Sequence, residues 1–194
     1  MRTALPLLIV PAVALASFCP DYDSIAQPSV AEGSFAPEDL SGFWYLSATN
    51  EPTIPPICRC PRLNFTVDVD SGLYSYVNTD LCDITGEINV NVAGELSADP
   101  STPGFLREHA AHSPFRLKPN MVFHVDRESE VAYTYACIEP GVYSFNVLTR
   151  GGDWGEEELQ GLVDEADKLT NGTLKVDGVK ITDRDAWGEC GVDI

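Results

Sequence analysis

The chain has 194 residues, with 30 acidic against 12 basic side chains, a formal net charge of -18 and 44% hydrophobic residues. That length and apolar share suit one compact domain with its own core, which argues against intrinsic disorder and against a multidomain enzyme. A surface this acidic repels phosphate backbones and anionic lipid headgroups, so nucleic-acid partners and electrostatic membrane docking are excluded.

Residues 1–16 read as a secretory signal. Arg2 precedes an apolar stretch from Ala4 to Ala16 that ends in the small-x-small triplet Ala14-Leu15-Ala16. The stretch is too short to cross a bilayer core of about 30 Å, and Pro6 and Pro11 would break a buried helix. The protein is therefore expected to be extracellular. All six cysteines lie beyond the cut, and an even count in a secreted chain implies three disulfides. Spacing alone leaves their connectivity open.

Residues 17–36, rich in Pro, Ser and Ala without periodicity, are expected to form an extended arm tied down by Cys19. The remaining 37–194 make the domain. Gly42 to Thr49 is a compact aromatic strand. Leu63, Phe65, Val67 and Val69 then alternate with polar residues, placing Asn64 of the sequon Asn64-Phe65-Thr66 on the solvent face as a glycosylation candidate. Asp70-Ser71-Gly72 makes a turn and Leu73 to Asn78 returns as a strand. Further strands are expected at Ile84 to Val92, Phe105 to His109, Met121 to Val125, Val131 to Cys137 and Val142 to Thr149. Such evenly spaced short strands predict a closed antiparallel barrel or a sandwich.

Leu159, Leu162, Val163, Ala166 and Leu169 follow at helical spacing, predicting a helix over about 154–170 that docks outside the sheet. Asp153 with Glu156 resembles a capping box, Glu156-Glu157-Glu158 suits the helix dipole, and Asn171-Gly172 supplies a stop. Asn171 also opens the second sequon, Asn171-Gly172-Thr173. The acidic tail, 171–194, is expected to be pinned back through Cys190.

Within the strands, alternation assigns an apolar cup edged with tyrosine hydroxyls. Phe65 and Val67 lie opposite Asn64, Ile88 and Val90 share a face, Tyr74 pairs with Tyr76, and Tyr133 with Tyr135. No catalytic residue is assigned: G-x-S-x-G, H-E-x-x-H and phosphate-binding glycine loops are all missing. His109, His112 and His124 have no cysteine or carboxylate at ligand spacing, and Asp68 to Gly72 begins like a calcium loop without its later glycine and glutamate. Neither a metal nor a cofactor is expected. An enzyme would need a titratable group inside the barrel, and alternation supplies none.

Phe35 to Tyr45, with Gly42-Phe43-Trp44 at its centre, resembles the first signature of the lipocalins, and Arg150 stands at the end of the last strand where that family packs an arginine over the tryptophan. The chain is most similar to the branch holding apolipoprotein D, insecticyanin and crustacyanin. The features are Cys19-Pro20, Gly42-x-Trp44-Tyr45, Cys60 four residues before Asn64, a tyrosine-rich strand ending at Cys137, Arg150, a helix and Cys190. The second family signature is only loosely approximated by Val125-Asp126-Arg127. The resemblance implies an all-β, eight-stranded up-and-down barrel of about 42–150 with one C-terminal helix outside. Gly42, Trp44 and Arg150 would close its base. It implies bridges Cys19–Cys137 and Cys60–Cys190, leaving Cys58–Cys82 as an addition. The register set by Arg150 implies that Asn146 and Leu148 face the ligand while Tyr143, Phe145 and Val147 face the helix. The implied function is a secreted carrier of a small hydrophobic ligand: a sterol, retinoid, carotenoid or fatty acid. Two alternatives are a lipocalin-fold enzyme acting on a substrate such as a carotenoid epoxide, and an interaction protein with a filled barrel.

Overall fold

The computed structural model describes residues 20–32, 35–51, 58–83, 85–110, 113–139, 142–151, 154–174 and 176–182. The expected signal segment and the end of the tail lie outside them. Eight strands run in chain order: β1 (Gly42–Thr49), β2 (Cys58–Asp68), β3 (Leu73–Cys82), β4 (Gly86–Glu95), β5 (Phe105–Ala110), β6 (Ser113–Asp126), β7 (Val131–Glu139) and β8 (Val142–Thr149). Each pairs antiparallel with the next, and β1 pairs with both β2 and β8, which closes the sheet into an up-and-down barrel. A two-residue strand, β9 (Lys180–Ile181), adds to β1 at Ala48 and Thr49.

Local chemistry shapes the hairpins. The Asp68 carboxylate accepts the backbone N–H groups of Asp70 and Ser71, and Gly72 takes the left-handed φ of +70° that completes the turn. Asp126 plays the same part for Glu128 and Ser129 between β6 and β7. β6 starts well before the expected Met121, because Pro114 and Pro119 interrupt the apolar pattern without breaking the strand. The sheet is not uniform. β3 and β4 pair over ten positions, whereas β4 and β5 pair only at Gly94↔Glu108 and Glu95↔Arg107.

A helix, α3 (Glu156–Leu169), buries Leu159, Val163 and Ala166. It begins at Glu156 behind the N-cap Gly155, and Asp153 of the expected capping box lies outside the described residues. The Glu158 carboxylate accepts the Gly155 N–H at 2.7 Å. The stop is at Asn171 and Gly172, both at positive φ. The Tyr133 hydroxyl donates to Glu165 of this helix at 3.1 Å, fixing α3 on the outer face of β7.

The N-terminal arm is not extended. It forms two single turns, α1 (Tyr22–Ile25) and α2 (Pro28–Ala31), separated by Ala26 and Gln27. Ile25 and Val30 are fully buried, and the Gln27 N–H donates to the Phe123 carbonyl at 2.8 Å. Short apolar spacing in a Pro-rich stretch hid this packing. His124 is bonded to Ser29 of the arm at 2.8 Å. Among the described residues no three metal-ligating side chains cluster, and no helix is long and apolar enough to cross a membrane.

Candidate functional site: a barrel with a sealed base and a polar-edged cup

The base is built by one 3-10 turn (Pro37–Leu40) and the start of β1. Trp44 is buried, and its indole N–H donates to the Leu40 carbonyl at 2.8 Å. The Arg150 guanidinium carbon sits 4.2 Å from the tryptophan ring centroid. The same fork donates to the carbonyls of Asp39 and Ser41, each at 2.7 Å. Gly42 lies between them at φ +96°, where a Cβ would come within 3.0 Å of the arginine. A side chain there would be both strained and in the way of the stack.

Above the base, register decides which residues share a face. Trp44 is opposite Leu63, Phe65 opposite Tyr76, and Val67 opposite Tyr74. The Phe65 and Tyr76 rings lie 4.8 Å apart, with Tyr74 stacked 6.5 Å from Tyr76. On the far wall Leu148 is buried and Asn146 donates to Thr134 and accepts from Thr49. Phe65, Val67, Tyr74, Tyr76, Asn146 and Leu148 therefore line one interior.

Two sequence assignments are corrected. Tyr133 and Tyr135 are opposite Val147 and Phe145, not Asn146, so they are on the outer face of the barrel, where Tyr133 reaches Glu165 of α3 and Tyr135 packs against Tyr143. The inward residues of β7 are Ala132, Thr134 and Ala136. Both faces of β7 are buried from Val131 to Ala136, and the bulky alternation marks the outer one. Ile88 and Val90 do share the face of Asp80 and Asn78, yet they are 37% and 39% exposed. Above Gly94, β4 has no strand beside it on the β5 side among the described residues, so water reaches them.

The interior also holds polar groups that period-two reading passes over. Glu108 is 6% exposed. One of its oxygens takes the Lys118 ammonium at 2.9 Å. The other accepts the Tyr76 hydroxyl at 2.9 Å and the Asn120 amide at 3.0 Å. Gly94, opposite both Tyr74 and Glu108, leaves room for the neighbouring tyrosine, since a Cβ there would strike the Tyr74 ring at 2.4 Å. Burial, followed by the Glu108 charge, pushes the hydroxyls of Tyr74 and Tyr76 well above their ordinary value, so they remain donors at any physiological pH. Glu108→Ala should destabilise the fold by about 2 to 3 kcal/mol, because it orphans Tyr76, Asn120 and Lys118 together. Chemical denaturation checks this, and a change under about 1 kcal/mol would mean that water replaces the carboxylate.

Asp80, on β3 nearer the opposite end, is also 6% exposed. Its Oδ2 accepts the Asn78 amide at 2.9 Å, while its Oδ1 and the Asn78 Oδ1 have no hydrogen-bond partner. Burial raises the Asp80 carboxyl above the ordinary 3.8, outweighing the Asn78 bond. A raised carboxyl binds more protons folded than unfolded. Stability attributable to Asp80 therefore falls as pH rises from about 3.8 through the folded value. Asp80→Asn should accordingly stabilise the protein at pH 7 and leave it unchanged at about pH 3, by thermal unfolding at both.

Cys58 and Cys82 are bonded across β2 and β3. Cys60 and Cys137 are disulfide-bonded as well; Cys19 and Cys190, their expected partners, lie outside the described residues. Asn64 and Asn171 are both exposed.

No family model matches the chain, and no curated protein matches it. Solved structures do. Lobster apocrustacyanin A1 superposes with a TM-score of 0.61 at 16% identity, covering 86% of this chain and 87% of that one. Insecticyanin from the tobacco hornworm gives 0.57 at 15%, covering 86% of each. The cockroach allergen Per a 4 gives 0.52 at 10%, covering 77% and 88%. The chain has the lipocalin fold, and among these structures it shares that fold with the crustacyanins and insecticyanin.

Proposed function

We propose that the protein is a secreted lipocalin of the crustacyanin and insecticyanin branch that carries a small hydrophobic molecule in its cup. The observation that supports this most directly is the lining itself. A base sealed by Trp44 and Arg150 lies beneath apolar and aromatic walls, Phe65, Val67, Tyr74, Tyr76 and Leu148, with a few fixed polar groups among them. Such a lining suits a ligand that is mostly hydrocarbon and polar at few points. The fold of the solved neighbours supports the same reading. In this proposal residues 1–16 are removed on secretion, Cys19–Cys137 and Cys60–Cys190 complete the disulfides, and Asn64 and Asn171 carry glycans.

A ligand of about twenty heavy atoms at roughly -0.3 kcal/mol per atom gives about -6 kcal/mol, a dissociation constant of tens of micromolar. Titration with retinol, a carotenoid, a fatty acid and a sterol, followed by tryptophan fluorescence, should show at least one saturable site. Phe65→Arg should weaken it by about tenfold or more, by setting a charge in the apolar wall. The absence of any saturable site overturns the proposal. Chemical conversion of a bound ligand would support the second reading, a lipocalin-fold enzyme, which the half-satisfied carboxyl of Asp80 alone favours.

A further inference from the structure

Building on the carrier reading, we propose that the cup selects a ligand with a protonated amine at one end, held by the free oxygens of Asp80 and Asn78. β3 is regular from Leu73 to Cys82, so Tyr74, Tyr76, Asn78, Asp80 and Cys82 share the inward face. The Asn78 amide is already committed to Asp80. What remains are two adjacent acceptors, Asp80 Oδ1 and Asn78 Oδ1, with no donor for either. A buried acceptor left without a donor is destabilising by about 1–3 kcal/mol, and a fold retains such a pair where a guest completes it.

The chemistry narrows that guest. Both free atoms are acceptors and one belongs to a carboxylate, so the partner must bring at least two N–H or O–H groups. An ammonium brings three, a hydroxyl brings one, and a carboxylate is repelled. Among the described residues no cation takes the place. Arg59 and Arg62 of the neighbouring strand are opposite Leu81 and Thr79, on the outer face, where they pair with Asp83 and Glu87. Lys118 is held by Glu108. Across the ladder, Asn78 and Asp80 are opposite Val90 and Ile88, an exposed apolar pair against which the hydrocarbon next to an amine would lie. The chain's net charge of -18 adds a field that concentrates cations.

The test uses the full secreted chain and three probes with one hydrocarbon body: decylamine, decanol and decanoic acid, each titrated calorimetrically at pH 7. Decylamine should bind about tenfold or more tightly than decanol, as a charge-assisted hydrogen bond implies, with decanoic acid weakest. Asp80→Asn should reduce that gap below about threefold, with decanol still bound at a saturable site, which certifies an intact cup. Equal binding of amine and alcohol by the unaltered protein overturns the inference while leaving the carrier reading standing. So does a gap that survives Asp80→Asn, since it would come from the overall field. If none of the three binds, the carrier reading falls and this inference with it.

Discussion

Trp44→Ala is expected to lower the unfolding free energy by about 3 to 5 kcal/mol, the range for deleting a large aromatic from a packed core. The indole is 3% exposed, and its loss empties the floor of the barrel. It also removes the ring beneath Arg150, whose charge would then be held by the carbonyls of Asp39, Ser41 and Phe43 alone. Arg150→Lys should have a smaller effect of about 1 to 2 kcal/mol, because an ammonium keeps the charge and loses the planar fork. Equilibrium denaturation of both variants tests the stack. If Trp44→Ala changed stability by less than about 1 kcal/mol, the base would not be the structural anchor that the geometry describes.

Removing the Cys58–Cys82 bridge should cost about 3.5 kcal/mol. The two cysteines are 24 residues apart in sequence, and the chain-entropy relation for a loop of that size gives this figure as the gain from constraining the unfolded state. The double replacement Cys58→Ala with Cys82→Ala, unfolded in denaturant with the other cysteines still oxidised, measures it. Peptide mapping without reductant should recover the two peptides joined. A loss below about 1 kcal/mol would show that β2 and β3 hold the loop closed in the unfolded chain without the bond.

Much of this architecture is legible in the residues themselves. Gly42-Phe43-Trp44 and Arg150 lie far apart in sequence and meet at 4.2 Å. The alternation in β2 correctly sets Phe65 opposite the exposed Asn64. The inward residues of β8 also follow from Arg150. Alternation fails where two faces are equally covered, as on β7, whose larger residues are on the outer face. It fails too where a single acidic residue interrupts a strand. Glu108 and Asp80 look like ordinary surface charges until register places each of them on the inward face. Their partners come from other strands or from two residues along, and no local pattern contains that information. The arm escapes pattern reading for a related reason, since single helical turns of four residues have no period to detect.

The short seam between β4 and β5 has a consequence for how the protein behaves in crowded solution. A strand that lacks a neighbour offers its backbone groups to any other chain, and exposed apolar residues such as Ile88 and Val90 would strengthen that encounter. The side chains on the other face of β4 read Glu87, Asn89, Asn91, Ala93 and Glu95, a polar, acidic row on a molecule already at -18. Two copies approaching edge to edge would bring these carboxylates together, and the repulsion acts before any backbone bond can form. At about 1 M salt the screening length shrinks to about 3 Å, and that protection is lost. The acidity that repels nucleic acids thus also guards this edge, open among the described residues, against self-association.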